Sequence, residues 1–233
     1  MPGARLLDLV KIVDTLRLSC PWDREQTHES LLKYLLEEAY EAAEAIESGD
    51  AAAMCEELGD VLFQVYFHAR VASERPAAEG GFTIDDVASA LAAKLIRRHP
   101  HVFGSVTVAS AAEVNANWEE IKKAERTAKA AAADADAPSV LDGVPFGQPA
   151  LSLAAQLQRR AHRAGITVPA ASGENTDSIG DELMGLVARA RAAGLDPELE
   201  LRTAARRFAD SVRAAERAAA AATASDQPDS AGA

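Results

Sequence analysis

Two pairs of acidic side chains are the residues of this chain best suited to chemistry. Glu38 and Glu41 stand three residues apart, as do Glu57 and Asp60, and residues at this spacing share one face of an α-helix. A turn signal at Gly49 separates the two segments, so we expect the two helices to lie antiparallel. Glu41 with Glu57, and Glu38 with Asp60, are both centred on Gly49. The spacing therefore predicts that four carboxylates converge across a helical hairpin.

Carboxylates that lie this close together raise one another's pKa and destabilise the site unless a cation lies between them. A set of ligands that are all oxygen suits Mg²⁺ or Mn²⁺ and does not suit zinc. The acids thus predict a divalent metal site, and such a metal can bridge the phosphate oxygens of a small anion.

The alternative is that the acids form a solvated face. The first helix of the hairpin allows this, because its acids lie opposite an apolar face made of Leu32, Leu35, Leu36, Ala39, Ala43 and Ile46. The second helix does not favour it, because the residues around Asp60 are apolar nearly all round, and such a helix is usually buried. A buried acid needs a partner, so we favour metal binding.

The segments that carry these acids have the periodicity of helices, and we find no alternating apolar and polar run that demands a strand. Proline, glycine and a helix start signal at Thr83 punctuate the chain. The predicted helices are 4–18, 29–47, 52–73, 83–98, 111–125, 149–164, 177–193 and 197–217. The sequence therefore predicts an all-α helical bundle.

The predicted organisation has four parts. Residues 1–125 form a helical domain with the acids, 126–140 an alanine-rich linker, 141–217 a second helical unit and 218–233 a disordered tail. Residues 180–183 (GDEL) echo residues 59–62 (GDVL), which suggests a duplicated unit. Unrelated helices that share an alanine-rich composition remain the alternative.

Composition argues against several classes of function. The formal net charge is -12, whereas a protein that binds duplex nucleic acid normally has a basic face. No apolar run approaches the roughly 18 residues that cross a bilayer, and charges interrupt the first apolar stretch, so we expect no signal peptide. Cys20 and Cys55 form no CxxC pair. We expect a cytoplasmic protein with no nucleic-acid or membrane partner.

The acidic pattern, E-E-x-x-E at residues 37–41 followed by E-x-x-D at residues 57–60, resembles the MazG family of nucleoside triphosphate pyrophosphohydrolases. Other segments also look like family motifs: residues 20–27 (CPWDREQT), 94–103 (KLIRRHPHVF), 117–122 (NWEEIK) and 141–145 (LDGVP). The resemblance implies an all-α, magnesium-dependent homodimer, with manganese as a possible substitute, whose active sites are built partly at the subunit contact. It also implies hydrolysis of nucleoside triphosphates to monophosphate and pyrophosphate, in the service of cleansing nucleotide pools.

The resemblance also implies roles for individual residues. The metal ligands correspond to Glu38, Glu41, Glu57 and Asp60. The catalytic candidates are Glu37, Glu38 and Glu56, of which Glu37 and Glu56 lie beside ligands and are placed to orient water or a second metal. The nucleotide-binding candidates are Lys94, Arg97 and Arg98 for the triphosphate and Trp118 for a nucleotide contact.

Simpler interpretations of these nucleotide-binding candidates remain open. Lys94, Arg97 and Arg98 share one helix face, where they also complement the negative end of the helix dipole. Trp118 on an amphipathic helix is also suited to be a packing anchor. Trp22 fits equally well as a lid over a nucleotide or as an apolar plug.

The second half departs from the family pattern, because Ser178 stands where the echo requires a glutamate and no E-E-x-x-E precedes it. We therefore expect a degenerate unit without catalysis. Two alternatives to the general function are kept: a narrower pyrophosphohydrolase for dUTP, dCTP or phosphoribosyl-ATP, and a non-catalytic helical interaction module.

Overall fold

The computed structural model describes residues 3–132, 139–167 and 178–225. Every regular element in these ranges is helical, so the predicted all-α class is confirmed. The chain forms two compact units, Met1–Lys123 and Ala124–Ala233. None of the helices in the described ranges has the combination of length and apolar character needed to span a membrane.

The first unit contains most of the helices. They are α1 (Ala4–Ser19), α2 (Pro21–Glu25), α3 (His28–Ser48), α4 (Ala51–Ala72), α5 (Ile84–Arg98), α6 (Pro100–Phe103) and α7 (Ala111–Ala132), with a 3-10 turn at Ala77–Glu79. Helix α7 begins in the first unit, and its last residues are counted with the second. The main packing is between α3 and α4, against which α1 and α5 also lie.

The second unit packs three helices against one another: α8 (Ala150–Arg163), α9 (Ile179–Ala192) and α10 (Pro197–Ser225). The side chain of Gln158 joins two of them, because its Nε2 donates to the Met184 carbonyl at 2.8 Å and its Oε1 accepts from Arg191 at 3.2 Å. Val187 is fully buried in this unit.

The predicted helices are all present, with three differences. Proline was expected only to punctuate the chain, but Pro21 and Pro100 each begin a short helix, because proline is well suited to the first helical position. The helix predicted to end at residue 125 continues to Ala132, into the predicted linker. The last helix continues to Ser225, into the predicted disordered tail. Both extensions are rich in alanine, the strongest helix former. Residues 133–138 of the predicted linker and 226–233 of the predicted tail lie outside the described residues.

Local capping fixes the ends of the α3/α4 hairpin. Thr27 begins α3 with a capping box, in which its side chain accepts from the Ser30 backbone while the Ser30 side chain accepts from the Thr27 backbone. Gly49 ends the helix in the left-handed region, with φ at 75°, where a side chain would be strained. Asp50 then caps α4 by accepting from the Ala52 and Ala53 amides. The turn predicted at Gly49 is therefore held by residues suited to it.

A small core lies where α1, α3 and α4 meet. Val13, Leu31 and Phe67 are almost fully buried there, and Tyr34, Phe63, Tyr66 and Val71 pack around them. This core lies toward the end of the hairpin that is remote from Gly49, so it fixes the relative position of the two helices that carry the acids.

Arg17 ties the segment around α2 to the hairpin. Its guanidinium donates to both carboxylate oxygens of Glu74, at 2.7 and 2.8 Å. It also donates to the backbone carbonyls of Asp23 and, at 3.0 Å, Gln26. Because Arg17 is buried, these contacts satisfy a charge that would otherwise be costly. They hold the segment that carries Trp22.

Candidate functional site

Three of the four predicted metal ligands come together across the hairpin. Glu38 and Glu41 on α3 and Glu57 on α4 each offer a carboxylate oxygen, and these oxygens all lie within 4.8 Å of one another. Glu38 and Glu57 are half-buried, whereas Glu41 is exposed. The cluster is thus open to solvent on one side, where an ion can enter it.

The fourth acid, Asp60, is exposed, so the expectation that it is a buried acid was wrong. It acts on this cluster through its charge. Partial burial raises the pKa of Glu38, and among the neighbouring charges that of Asp60 raises it most. Partial burial also raises the pKa of Glu57, followed by the charge of Glu41, to which it is hydrogen-bonded, and the charge of Asp60. These couplings match the predicted pairs, Glu38 with Asp60 and Glu41 with Glu57. The four acids form one electrostatic group.

Glu37 and Glu56, the two acids next to predicted ligands, are exposed. Their charges add to the rise in the pKa of Glu38 and Glu57 respectively. They therefore lie at the rim of the cluster, where a carboxylate can reach water.

The face of α3 that packs in the chain differs from the expected one. The buried residues are Leu31, Ala42 and Ala45, whereas Leu32, Leu36 and Ile46 of the predicted apolar face are about half exposed, at 53%, 50% and 54%. The expectation was wrong because α4 packs against the face that includes Glu38. The acids therefore point toward the neighbouring helix, and the apolar stripe faces outward.

The basic candidates lie on α5, the helix that packs against α4. Lys94 and Arg97 are exposed and Arg98 is half-buried, all in the last turns of that helix. The charges that shift the pKa of Glu38 and Glu57 are carboxylates. The three basic residues therefore lie on a helix that packs directly against the helix of Glu57 and Asp60.

Trp118 on α7 contacts the end of α5. Its ring meets that of His99 edge to face, with centroids 5.2 Å apart, and Lys122 Nζ lies 5.4 Å from its centroid. These contacts support the packing role that remained open. The indole Nε1 is buried and has no hydrogen-bond partner in the described part of the chain, so it also has an unused donor.

Gln64 on α4 is a polar residue that the sequence analysis did not select. It is only 4% exposed, and its Oε1 is buried without a hydrogen-bond partner among the described residues. The available signal was a single glutamine within the apolar run from Val61 to Phe67. A lone polar residue in such a run can equally face solvent, so the sequence did not reveal its burial.

Two histidines meet between α3 and α4. His28 and His68 approach with their Nδ1 atoms 2.8 Å apart and their rings nearly parallel, at 3°. Burial lowers the pKa of His68, and the charge of His28 lowers it further. His68 is half-buried between the two helices. His28 was not selected from the sequence, because a single histidine at a helix start gives no signal of its partner.

Asp181, which matches Asp60 in the short sequence repeat, has a different local role. Ser178 caps α9 and bonds both the Asp181 backbone amide and its carboxylate, the latter at 2.7 Å. Asp181 therefore lies in the first turn of its helix, whereas Asp60 lies well inside α4. This capping interaction gives Asp181 a structural role without a metal.

Comparisons with known proteins agree on one family. A family model described as the MazG nucleotide pyrophosphohydrolase domain matches residues 26–103, which include the hairpin. A protein of Streptomyces cacaoi, described as an uncharacterized 26.1 kDa protein, is 48% identical over 217 residues, covering 93% of this chain and 84% of its own length.

Two relatives have functional names. The nucleoside triphosphate pyrophosphohydrolase of Mycolicibacterium smegmatis is 45% identical over 223 residues, which cover 94% of this chain but only 62% of that longer protein. The nucleoside triphosphate pyrophosphohydrolase/pyrophosphatase MazG of Thermotoga maritima is 39% identical over 229 residues, which cover 89% of this chain and 84% of the relative.

Proposed function

The chain belongs to the MazG family, and from this premise we propose that it hydrolyses nucleoside triphosphates, including deoxynucleoside triphosphates, to nucleoside monophosphate and pyrophosphate. The observation that carries the proposal is the convergence of Glu38, Glu41 and Glu57 within 4.8 Å, with Asp60 coupled to them by charge. Carboxylates this close repel one another unless a cation lies between them. A nucleoside triphosphate is a polyanion that carries a divalent cation, so it can supply that cation.

The four acids fit Mg²⁺, with Mn²⁺ as a substitute. All the donors are oxygen atoms, which these hard cations prefer. Burial raises the pKa of Glu38 and Glu57, and the neighbouring carboxylates raise both further. A divalent cation would neutralise this negative charge. We propose Glu38, Glu41, Glu57 and Asp60 as the residues that hold the metal.

Bound magnesium supplies positive charge to the phosphate oxygens and lowers the pKa of water. In our proposal Glu37 and Glu56, exposed at the rim, orient the attacking water and accept its proton. Glu38 belongs both to the metal ligands and to this catalytic set. The attack breaks a P–O bond of the bridge between the α- and β-phosphorus, and the products are the nucleoside monophosphate and pyrophosphate.

The basic face of α5 is proposed to bind the departing pyrophosphate. Lys94, Arg97 and Arg98 lie in its last turns, and cations placed where negative charge develops favour the transition state. Trp118 packs beside His99 at the end of the same helix, and its unpartnered Nε1 is available to an acceptor on the nucleotide. We propose it as a nucleotide contact.

We propose a homodimer that buries the outward apolar stripe of α3. Leu32, Leu36 and Tyr40 repeat at helical spacing and are each about half exposed, at 53%, 50% and 49%. Leu91 and Leu95 on α5 are exposed to a similar degree, at 46% and 43%. Exposed apolar residues that repeat along one face of a helix are typical of an interaction surface.

The proposed role is removal of non-standard or damaged triphosphates from the cytoplasmic nucleotide pool. Free thiols at Cys20 and Cys55 suit a reducing compartment. Charge favours a small chelated substrate over a nucleic acid, because the chain carries -12 and needs a cation to accept a polyanion.

A panel of separate nucleoside and deoxynucleoside triphosphates with Mg²⁺ tests the proposal, with pyrophosphate and phosphate measured side by side. Pyrophosphate and monophosphate in equal amounts are expected from several bases. Release restricted to dUTP or dCTP would indicate the narrower enzyme, phosphate in place of pyrophosphate would exclude the proposed bond cleavage, and no turnover at any metal concentration would leave the interaction module.

A further inference from the structure

The Gln64 side chain can form hydrogen bonds but makes none with the described part of the chain. It is 4% exposed, and its Oε1 is buried without a partner. Buried polar atoms in folded proteins are nearly always hydrogen-bonded, so an orphan among them needs an explanation. Folding alone gives none, since an apolar side chain of similar shape would fill this place at lower cost.

The position of Gln64 connects it with the acidic cluster. It follows Asp60 by four residues on α4, and residues at this spacing share a helix face. The same pairing across the hairpin that sets Glu38 opposite Asp60 sets Tyr34 opposite Gln64. The amide therefore lies one helical turn beyond the acids, on the side that leads away from Gly49.

Tyr34, which the hairpin pairing sets opposite Gln64, belongs to a group of aromatic rings. Trp22 meets Tyr34 edge to face, with ring centroids 5.7 Å apart, and lies 6.5 Å from Phe67. Phe67 is 1% exposed, but Trp22 remains 48% exposed although it packs against these rings. One part of this group belongs to the core, while the other part is open to a ligand with a flat ring.

We propose that Gln64 contacts the nucleoside part of the substrate, through a hydrogen bond between its amide and a sugar hydroxyl or a base N–H group. This inference rests on the proposed function, because it takes the carboxylate cluster as the phosphate end of the site. The acids then hold the triphosphate, and Gln64 with the aromatic rings holds the nucleoside one turn away. The amide discriminates a nucleoside triphosphate from a bare polyphosphate.

The test replaces the amide without changing its volume greatly. In Gln64→Met we measure kcat and KM for ATP with Mg²⁺, together with the inhibition constant of inorganic tripolyphosphate, which has no nucleoside. We expect KM to rise about tenfold, the loss of one or two hydrogen bonds, while the inhibition constant stays within about twofold. Thermal stability should be equal or higher, because an unpartnered buried amide has been removed.

Gln158→Met is the matched control, because Gln158 is a packed glutamine whose amide is hydrogen-bonded at both ends. Its stability should fall and its KM should stay unchanged. Comparison of ATP, 2′-deoxy-ATP and 3′-deoxy-ATP then separates the two sources of the hydrogen bond. A sugar contact makes one deoxy analogue insensitive to Gln64→Met, whereas a base contact leaves all three equally sensitive.

An unchanged KM for ATP in a folded Gln64→Met variant would overturn the inference, as would an equal loss of tripolyphosphate binding, which indicates damage to the phosphate end. Should the methionine variant fail to fold, Gln64→Leu takes its place under the same criteria. Absence of pyrophosphate release by the wild type would overturn the proposed function itself. Normal release by the wild type with an insensitive variant would overturn only the role of Gln64.

Discussion

The carboxylates of Glu41 on α3 and Glu57 on α4 approach within 4.8 Å across the hairpin, and a hydrogen bond between them contributes to the raised pKa of Glu57. Two carboxylates this close repel each other when both are ionised, and they would separate if the chain were free to relax. The hairpin holds them together because its packing is fixed elsewhere, by the core around Leu31 and Phe67. The repulsion is thus built into the fold and is available to bind a cation.

Glu41→Gln is expected to abolish hydrolysis while preserving the fold. We expect pyrophosphate release to fall by roughly 100-fold or more, since even the outer partners of a metal ligand are worth 10–100-fold. Without metal, the thermal midpoint in EDTA should be equal to or above that of the wild type, because a repelling charge has been removed.

Glu44→Gln is the control for this variant. Glu44 is an exposed acid on the same helix, and its charge is not among those that shift the pKa of Glu38 or Glu57. Its activity should remain within about twofold of the wild type. An equal loss of pyrophosphate release in both variants would show that hydrolysis depends on the total negative charge of the helix. It would argue against a specific role of the carboxylate cluster.

The Arg17–Glu74 pair should make the free energy of unfolding depend on pH in the acid range. Hydrogen bonds from Arg17 hold the pKa of Glu74 below its ordinary value, and the charges of Arg17 and Arg70 lower it further. A carboxyl with a lowered folded pKa contributes stability above its unfolded pKa of about 4.3, and this contribution is lost as the pH falls through the folded pKa. We expect Glu74→Gln to lower the free energy of unfolding by about 1 to 2 kcal/mol at pH 7.

Denaturant unfolding at pH 7 and at pH 3 measures this effect. The gap between the wild type and Glu74→Gln should be present at pH 7 and should shrink at pH 3. Glu79→Gln, which changes an exposed acid in the nearby 3-10 turn, should show no gap at either pH. A gap of the same size at both pH values would contradict the assignment.

The His28–His68 pair should destabilise the folded chain at mildly acidic pH. Only one proton fits between Nδ1 atoms 2.8 Å apart, and burial with the charge of His28 lowers the pKa of His68. A histidine with a lowered folded pKa binds protons more tightly when unfolded, so stability is lost as the pH falls through the unfolded value of about 6.5. We expect the free energy of unfolding to decrease between pH 7 and pH 5.5.

His28→Gln removes the charge that faces His68, so this variant should lose less stability over the same range than the wild type. Unfolding in denaturant at closely spaced pH values provides the comparison. An identical pH dependence in the two proteins would show that the pair does not titrate as its geometry implies.

Gly49→Ala should destabilise the hairpin at its turn. Gly49 has φ at 75°, and although no atom lies within 4 Å of the position of an added Cβ, a left-handed alanine costs about 1 kcal/mol. Gly59→Ala is the matched change inside α4, also with open space around the Cβ. It should stabilise by about 0.5 to 1 kcal/mol, because alanine is the better helix former. Changes of the same sign in both would argue against backbone strain at Gly49.

The acidic pairing could be predicted from the sequence because it depends only on helix periodicity and on the position of a turn. Gly49 supplies the turn, and the registration of Glu41 with Glu57 follows from it. The packing face of α3 could not be predicted in the same way. Periodicity shows that Leu32 and Leu36 form an apolar stripe, but it does not show whether the stripe packs in the chain or faces outward.

The extent of the last helices and the burial of Gln64 also escaped prediction, for different reasons. Alanine tracts are found both in linkers and in helices. The continuation of α7 to Ala132 follows from the high helix propensity of alanine, and no residue in the sequence marks where the helix ends. The burial of Gln64 depends on which side of α4 meets α3, and a helix that is apolar nearly all round does not specify this.

We propose that four acids on the α3/α4 hairpin hold one divalent metal site, and a crystal structure grown with Mn²⁺ and a non-hydrolysable triphosphate is the decisive test. We expect anomalous density between the two helices, with oxygens of Glu38, Glu41, Glu57 and Asp60 at roughly 2.0 to 2.3 Å from manganese. Manganese bound elsewhere, or a hairpin that stays metal-free beside a bound triphosphate, would show that these acids do not form the metal site.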